Sequence, residues 1–131
     1  MIEDNRRQVI RFFEGLTAGA FPDDLFAPDL TCWTTASGKM DASLYRAVPQ
    51  MLKSVFPAGL AFDIDAIIAE ADRAAAQVRS EGVFDGDQLY TNDYAFIFSF
   101  REGRIASVAE HLNPLRVPEA LAARMMAALR G

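Results

Sequence analysis

The chain has 131 residues, of which 51% are hydrophobic and 24% are charged. This length and balance are typical of one soluble domain with a single core, so we expect one domain over residues 1–131. Eighteen acidic and thirteen basic side chains give a net charge of −5. Such a balance argues against nucleic acid and against an anionic membrane as partners.

Other features of the composition exclude further classes. The first residues lack the apolar stretch of a signal peptide, and no later run reaches the roughly twenty apolar residues of a membrane span. A cytoplasmic protein is therefore expected. One cysteine, Cys32, and one histidine, His111, cannot assemble a Cys/His metal site. No metal and no other cofactor is predicted.

The first third of the chain reads as helix, connector, strand and broken helix. Helical spacing of apolar residues predicts a helix over about residues 3–20, and a connector rich in proline and aspartate follows. A strand is expected over residues 30–35. Asp41 is placed to cap a second helix, which Pro49 should kink or break in two. The residues expected to face inward from this helix are Leu44, Val48, Met51, Leu52 and Val55.

The rest of the chain alternates in the manner of β-strands. The alanine content of residues 64–78 favours a helix, but alternating apolar and polar side chains favour strands, and we predict two strands joined at Asp72-Arg73. Thr91 to Arg101 and Arg104 to Leu112 predict a hairpin around Glu102-Gly103. A final helix is expected over about residues 117–130. Pro118 is a favourable first residue for it, with Leu121, Met125 and Leu129 along one stripe.

Three charged residues are candidates for chemistry. Arg79 and Glu81 are two positions apart in a predicted strand, so they point to the same face. A solvated ion pair is the simplest explanation of these two. The third candidate, Glu110, lies in the last strand of the hairpin, and its face depends on the geometry of the turn.

Two turn geometries are open. A two-residue loop pairs Arg101 with Arg104 and sets Glu110 opposite Ala95. A three-residue loop with Gly103 in a left-handed conformation shifts the parity and brings Glu110 to the face that carries the alternating aromatic residues. The residues alone permit both.

A family resemblance extends over about residues 5–114. Its segments are Ile68 to Arg73, Arg79 to Gly82, Tyr90 to Tyr94, Phe98, Arg101 to Ile105 and Glu110 to Asn113. These segments resemble the SnoaL-like branch of the nuclear-transport-factor-two-like superfamily. The resemblance implies an α+β fold, a roll of the cystatin-like type, in which a strongly curved antiparallel sheet wraps around N-terminal helices and leaves a cone-shaped apolar pocket. It also implies a homodimer formed through the outer sheet face, and an extra C-terminal helix.

The same resemblance implies a catalytic set. It selects the three-residue turn and places Glu110 in the pocket with Arg79 and Glu81. Limonene epoxide hydrolases are similar in having an arginine and two carboxylates in this order, so Glu110 would be the base and Glu81 the acid of an epoxide hydration. The residues implied to contact the substrate are Trp33, Thr35, Val83, Asn92, Tyr94, Phe96, Phe98 and Leu112.

Two classes of function follow. The first is a small-molecule enzyme that acts on an apolar substrate by general acid/base catalysis, of the epoxide hydrolase, isomerase or cyclase type. Ketosteroid-isomerase chemistry fits less well, because Trp33-Thr34-Thr35 stands where that enzyme has its aspartate base. Polyketide-cyclase chemistry needs one carboxylate, from Glu110 or Glu81. The second class is a non-catalytic domain of the same fold that binds an apolar ligand or a partner.

Overall fold

The structure is a computed structural model that describes residues 2–130. Its helices are α1 (Ile2–Ala18), α2 (Ala42–Arg46), α3 (Val48–Val55) and α4 (Glu119–Arg130), with a 3-10 turn at Pro114–Arg116. Its strands are β1 (Phe26–Thr34), β2 (Gly38–Met40), β3 (Leu60–Ala69), β4 (Arg73–Phe84), β5 (Gln88–Arg101) and β6 (Arg104–Leu112). Among the described residues, none of the helices has the length and apolar character needed to cross a membrane.

The strands form one sheet in the order β2-β1-β6-β5-β4-β3. Neighbouring strands are antiparallel except β1 and β6, which run parallel. The sheet does not close into a barrel, because β2 and β3 remain as its edges. The predicted α+β class, with N-terminal helices and one helix at the C-terminus, is confirmed. The parallel pair is a difference from the antiparallel sheet that we expected.

The broken second helix has the predicted cap and the predicted break. The carboxylate of Asp41 accepts a hydrogen bond of 2.8 Å from the backbone N–H of Ser43, and Pro49 lies in the first turn of a separate α3. The inward face was predicted wrongly at one position, since Leu44 is 43% exposed and Tyr45 is 1% exposed. A five-residue helix that ends at the break takes its own orientation, so it need not continue the apolar stripe of α3.

The ambiguous alanine-rich segment forms two strands, as predicted. β3 and β4 pair in an antiparallel register from Leu60 opposite Gly82 to Ala69 opposite Ala74. A buried asparagine of α1 fastens the turn between them, because the Nδ2 of Asn5 donates to the carbonyls of Glu70 and Ala71. Tertiary contacts of this kind outweigh the helix propensity of alanine.

The core lies between α1 and one face of the sheet, which we call the inner face. The ring of Phe12 on α1 lies 5.6 Å from that of Phe96 and 5.1 Å from that of Phe98, both on β5. The opposite side of the sheet is called the outer face. Leu121 of α4 is fully buried in the same core, and Met125 and Leu129 pack against it, which confirms the predicted stripe.

Candidate active site

A bulge in β6 sets the direction of Glu110. The hairpin turn has two residues, Glu102 and Gly103, both with positive φ, and Arg101 pairs with Arg104. The set of β6 residues that face inward shifts by one further along the strand. Phe100 pairs with Ile105 but Ser99 pairs with Ser107, so that Ala106 has no opposite residue. Glu110 consequently pairs with Phe96 on the inner face. The inner position implied for Glu110 is found, but the three-residue turn expected to produce it is not.

Glu110 is unlike every other acid in the chain. Of the eighteen aspartates and glutamates, all within the described residues, seventeen are exposed residues, whereas Glu110 is only partly exposed. Burial raises the pKa of the Glu110 carboxyl to about 7, and a hydrogen bond from Tyr45 opposes this rise. A carboxyl with this pKa exchanges its proton readily near neutral pH.

The two oxygens of Glu110 have different surroundings. Oε1 accepts a hydrogen bond of 3.1 Å from the hydroxyl of Tyr45. Oε2 has no hydrogen-bond donor among the described residues, whereas every fully sealed side-chain oxygen or nitrogen among them has a partner. Oε2 therefore keeps access to solvent. One oxygen is fixed, and the other is available to a proton.

Arg79 and Glu81 do not join Glu110. Both are exposed on the outer face of β4, where the Arg79 guanidinium donates to the carboxylate of Asp65 at 2.9–3.2 Å. This hydrogen-bonded ion pair raises the pKa of Arg79 and lowers that of Asp65. The predicted grouping of the three charges is wrong in geometry, because the inner positions of β4 belong to the alternate residues. Val83, expected in the pocket, is exposed on the same outer face.

The first-strand residues also differ from the expected arrangement. Trp33 is exposed on the outer face, where its ring lies 4.8 Å from that of His111. His111 also faces outward. Thr35 acts on the backbone of β6, because its Oγ1 accepts from the N–H of Leu112 at 3.1 Å and its own N–H donates to the carbonyl of Glu110 at 3.0 Å. Thr35 thus holds the strand around Glu110.

A chain of buried polar side chains lies on the inner face of β4 and β5. The hydroxyls of Ser80 and Tyr94 are 2.9 Å apart, and those of Tyr94 and Tyr90 are 3.2 Å apart. The Nδ2 of Asn92 donates to the Tyr90 hydroxyl at 2.9 Å. We call Ser80, Tyr94 and Tyr90 the hydroxyl chain. Burial raises the pKa of both tyrosines above the ordinary value, so they are neutral donors at physiological pH.

The remaining residues expected to bind substrate belong to the core. Phe96 and Phe98 are buried against α1, and Leu112 packs at the edge of the same cluster. A cone-shaped pocket at Glu110 stays a prediction. One surface depression of about 440 Å³ lies on the outer face beside Ile68, and another of about 270 Å³ lies at the end of α1. Within residues 2–130, no three His, Cys, Asp or Glu side chains gather as a metal site.

Sequence reasoning gave no role to three residues of this site. Tyr45, Tyr90 and Ser80 were not predicted as site residues. Tyr90, Asn92 and Tyr94 alternate along one strand, and this polar stripe on a single face was a usable signal. Tyr45 offered none, because its contact with Glu110 joins residues 65 positions apart.

The comparison with known families decides the assignment. The profile of the SnoaL-like domain family matches residues 7–108, which is more than half of the chain. The chain belongs to the SnoaL-like domain family. The matched region ends just before Glu110, and α4 lies outside it. Among curated protein sequences, none matches this chain.

Several solved structures share the fold. AclR from Streptomyces galilaeus superposes with a TM-score of 0.77 at 13% identity, over 94% of this chain and 98% of that one. An LEH-like epoxide hydrolase from M. tuberculosis gives 0.72 at 13% identity, over 98% and 94%. An NTF2-like protein from Anabaena variabilis gives 0.73 at 20% identity, over 85% and 87%. At these identities the likeness establishes the fold alone.

Proposed function

We propose that this protein is an acid/base enzyme in which Glu110 takes a proton from a small apolar substrate and returns it, as an isomerase or a cyclase does. The observation that carries the proposal is the position of Glu110. It is the one acid of the chain that is only partly exposed, one of its oxygens is held by Tyr45, and the other is accessible. A group with a pKa of about 7 serves as base when ionised and as acid when protonated.

The reaction needs only one carboxylate. A C–H bond of the substrate breaks, its proton passes to Oε2, and the electron pair moves into a neighbouring carbonyl group. Return of the proton to another carbon gives an isomer. Attack of the carbanion on a second carbonyl instead closes a ring, and the alkoxide that forms takes the proton back from Oε2. Epoxide hydration of the predicted kind has less support, because Arg79 and Glu81 lie on the other side of the sheet from Glu110.

Deuterium exchange tests proton transfer without knowledge of the natural substrate. 2-Tetralone, an apolar ketone with acidic C–H groups, is incubated in D₂O with the protein, and loss of the C–H signals is followed by NMR. We expect exchange faster than in buffer alone, and its loss in Glu110→Gln. Glu81→Gln is the matched control and should exchange at the wild-type rate. Exchange that persists in Glu110→Gln would contradict the proposal.

A non-catalytic binding domain would give a different pattern. Its ligand would bind and would shift amide resonances of the inner face, but deuterium exchange would not exceed the rate in buffer. That result would support the second class of function expected from the sequence.

We also propose a homodimer through the outer sheet face. The central strands carry small side chains there, Ala75, Ala95 and Ala109, so another surface can approach the sheet closely. Ile68 and Trp33, whose ring lies against that of His111, add exposed apolar area on the same side. A second copy packed here would remove this area from water, and such burial favours association.

The mass in solution tests the dimer. Light scattering after size-exclusion chromatography should give twice the 14.4 kDa of one chain. Ala95→Arg places a charge in the proposed interface and should yield the monomer, whereas Ala123→Arg, on the exposed side of α4, should stay dimeric. A monomeric wild-type protein would refute the proposal.

A further inference from the structure

The hydroxyl chain on the inner face has one hydrogen more than it can use. We infer that this hydrogen, on Tyr94, binds an uncharged acceptor oxygen of the ligand, such as a ketone carbonyl. The inference rests on the proposed function in one respect, namely that the ligand occupies the inner face beside Glu110. It adds the group that binds the carbonyl oxygen of the proposed reaction, namely the hydroxyl of Tyr94.

The count of hydrogens is independent of how they are oriented. Ser80, Tyr94 and Tyr90 carry one hydroxyl hydrogen each, and two contacts connect the three oxygens. Each contact uses one hydrogen. One of the three hydrogens is therefore left without an acceptor among the described residues in every arrangement.

Asn92 fixes the direction of the hydrogen bonds at one end of the hydroxyl chain. Its Nδ2 donates to Tyr90 and to the carbonyl of Asn113, and its Oδ1 accepts from the backbone N–H groups of Asp93 and Asn113. These partners fix the orientation of the amide. Tyr90 thus receives a hydrogen bond from Asn92, which polarises its own O–H toward Tyr94.

Tyr94 is the member that donates to the ligand. Ser80 and Tyr90 each have Tyr94 as their one hydroxyl partner, so both terminal hydrogens are satisfied when both point to Tyr94. The hydrogen of Tyr94 is then the free one. Tyr94 also pairs across the sheet with Leu112, two residues from Glu110 on the same face. The free hydrogen and the carboxyl therefore serve one ligand.

Burial makes a hydroxyl hydrogen without an acceptor energetically unfavourable. Ser80 and Tyr90 are each 4% exposed and Tyr94 is 7% exposed, so bulk water does not readily supply an acceptor. A buried donor without a partner loses its hydration without compensation. A ligand oxygen at this point would restore the missing bond.

The charges around the hydroxyl chain favour an uncharged ligand. Every lysine and arginine of the described residues is exposed except Arg6 and Arg11, which lie on α1 and bond to the carbonyl of Ile67 and to Asp24. Among residues 2–130, no lysine or arginine is therefore buried beside the hydroxyl chain to balance an anionic ligand. Glu110, when ionised, would repel one.

Two ligands of nearly equal shape test the inference. 2-Tetralone has a carbonyl group and tetralin does not, and their affinities are compared by NMR titration of the amide resonances. One hydrogen bond of ordinary strength predicts that 2-tetralone binds about fivefold more tightly or better. Tyr94→Phe should remove this preference. Equal affinities for the wild-type protein, or a preference that survives in Tyr94→Phe, would overturn the inference.

A second measurement requires no variant. The carbonyl stretching frequency of bound 2-tetralone reports the hydrogen bond directly, and we expect it at or below its value in water. A frequency near that in a hydrocarbon solvent would mean that no donor meets the oxygen, and would overturn the inference. An ordered water that accepts the Tyr94 hydrogen would give equal affinities for both ligands, and this result would also overturn the inference.

Glu110→Gln separates this inference from the proposed function. The preference for 2-tetralone should survive in that variant, although deuterium exchange is lost. Exchange without a preference would defeat the inference alone. A preference without exchange in the wild-type protein would defeat the proposed function alone.

Discussion

Tyr45 donates a hydrogen bond of 3.1 Å to Glu110, from α2, which follows β2 in the chain, to the last strand, β6. The bond stabilises the ionised carboxylate against the burial that favours the neutral acid. Tyr45 itself is fully buried, and burial together with the nearby Glu110 raises its pKa well above the ordinary value. It therefore donates over the whole physiological pH range.

Replacing Tyr45 by phenylalanine should raise the pKa of Glu110 above 7, because burial then acts without opposition. Deuterium exchange at pH 7 should fall by about three- to tenfold, since less of the carboxyl is ionised once the hydrogen bond is lost. Exchange should recover at higher pH. The measurement is the pH profile of exchange, and an unchanged midpoint would show that Tyr45 does not tune Glu110.

Glu110→Gln should change how stability depends on pH. The folded-state pKa of about 7 exceeds the ordinary 4.5, so the folded protein binds more protons than the unfolded chain between these values. Glu110 therefore destabilises the fold progressively as pH rises from about 4.5 to 7. Relative to Glu110→Gln, the wild-type free energy of unfolding should fall by up to roughly 3 kcal/mol over this window.

Urea unfolding at pH 5 and pH 8 checks this difference. Comparison with the glutamine variant cancels the titration of the exposed acids, which both proteins share. A constant difference between the two proteins across the window would mean that Glu110 has an ordinary pKa in the folded state.

Arg79→Ala should leave deuterium exchange unchanged. Arg79 is exposed and bound to Asp65 on the outer face, so its removal alters neither the inner face nor Glu110. Exposed ion pairs contribute little to stability, and the urea midpoint should move only slightly. The measurement is the rate at which Arg79→Ala exchanges deuterium into 2-tetralone, compared with the rate of the wild-type protein. A large loss would restore the arginine to the catalytic set that the resemblance implied.

The sequence predicted the strands better than the faces they present. Alternation located β3 to β6, but it could not say which side of β4 was inner. Val78, Ser80 and Gly82 face inward, and position 82 has no room for a side chain because a Cβ there would lie 2.8 Å from a side-chain carbon of Leu60. Close packing, which depends on distant residues, therefore gave the outer face to Arg79 and Glu81.

Glu110 illustrates a different limit. Its inner position depends on one unpaired residue, Ala106, in a run of small and apolar residues where a bulge leaves no distinctive signal. The family resemblance gave the correct face through an incorrect turn. Its contact with Tyr45 joins distant segments, so the residues near Glu110 in sequence could not reveal it.

Leu121→Ala should test whether α4 is part of the cooperative fold. Leu121 is fully buried in the main core although it lies beyond the region matched by the family profile. Truncation of a buried leucine leaves a cavity and typically costs about 2–5 kcal/mol. Met126→Ala, at a half-exposed site of the same helix, should cost less than about 0.5 kcal/mol. Urea unfolding of both variants measures this contrast, and equal small effects would mean that α4 is a separable appendage.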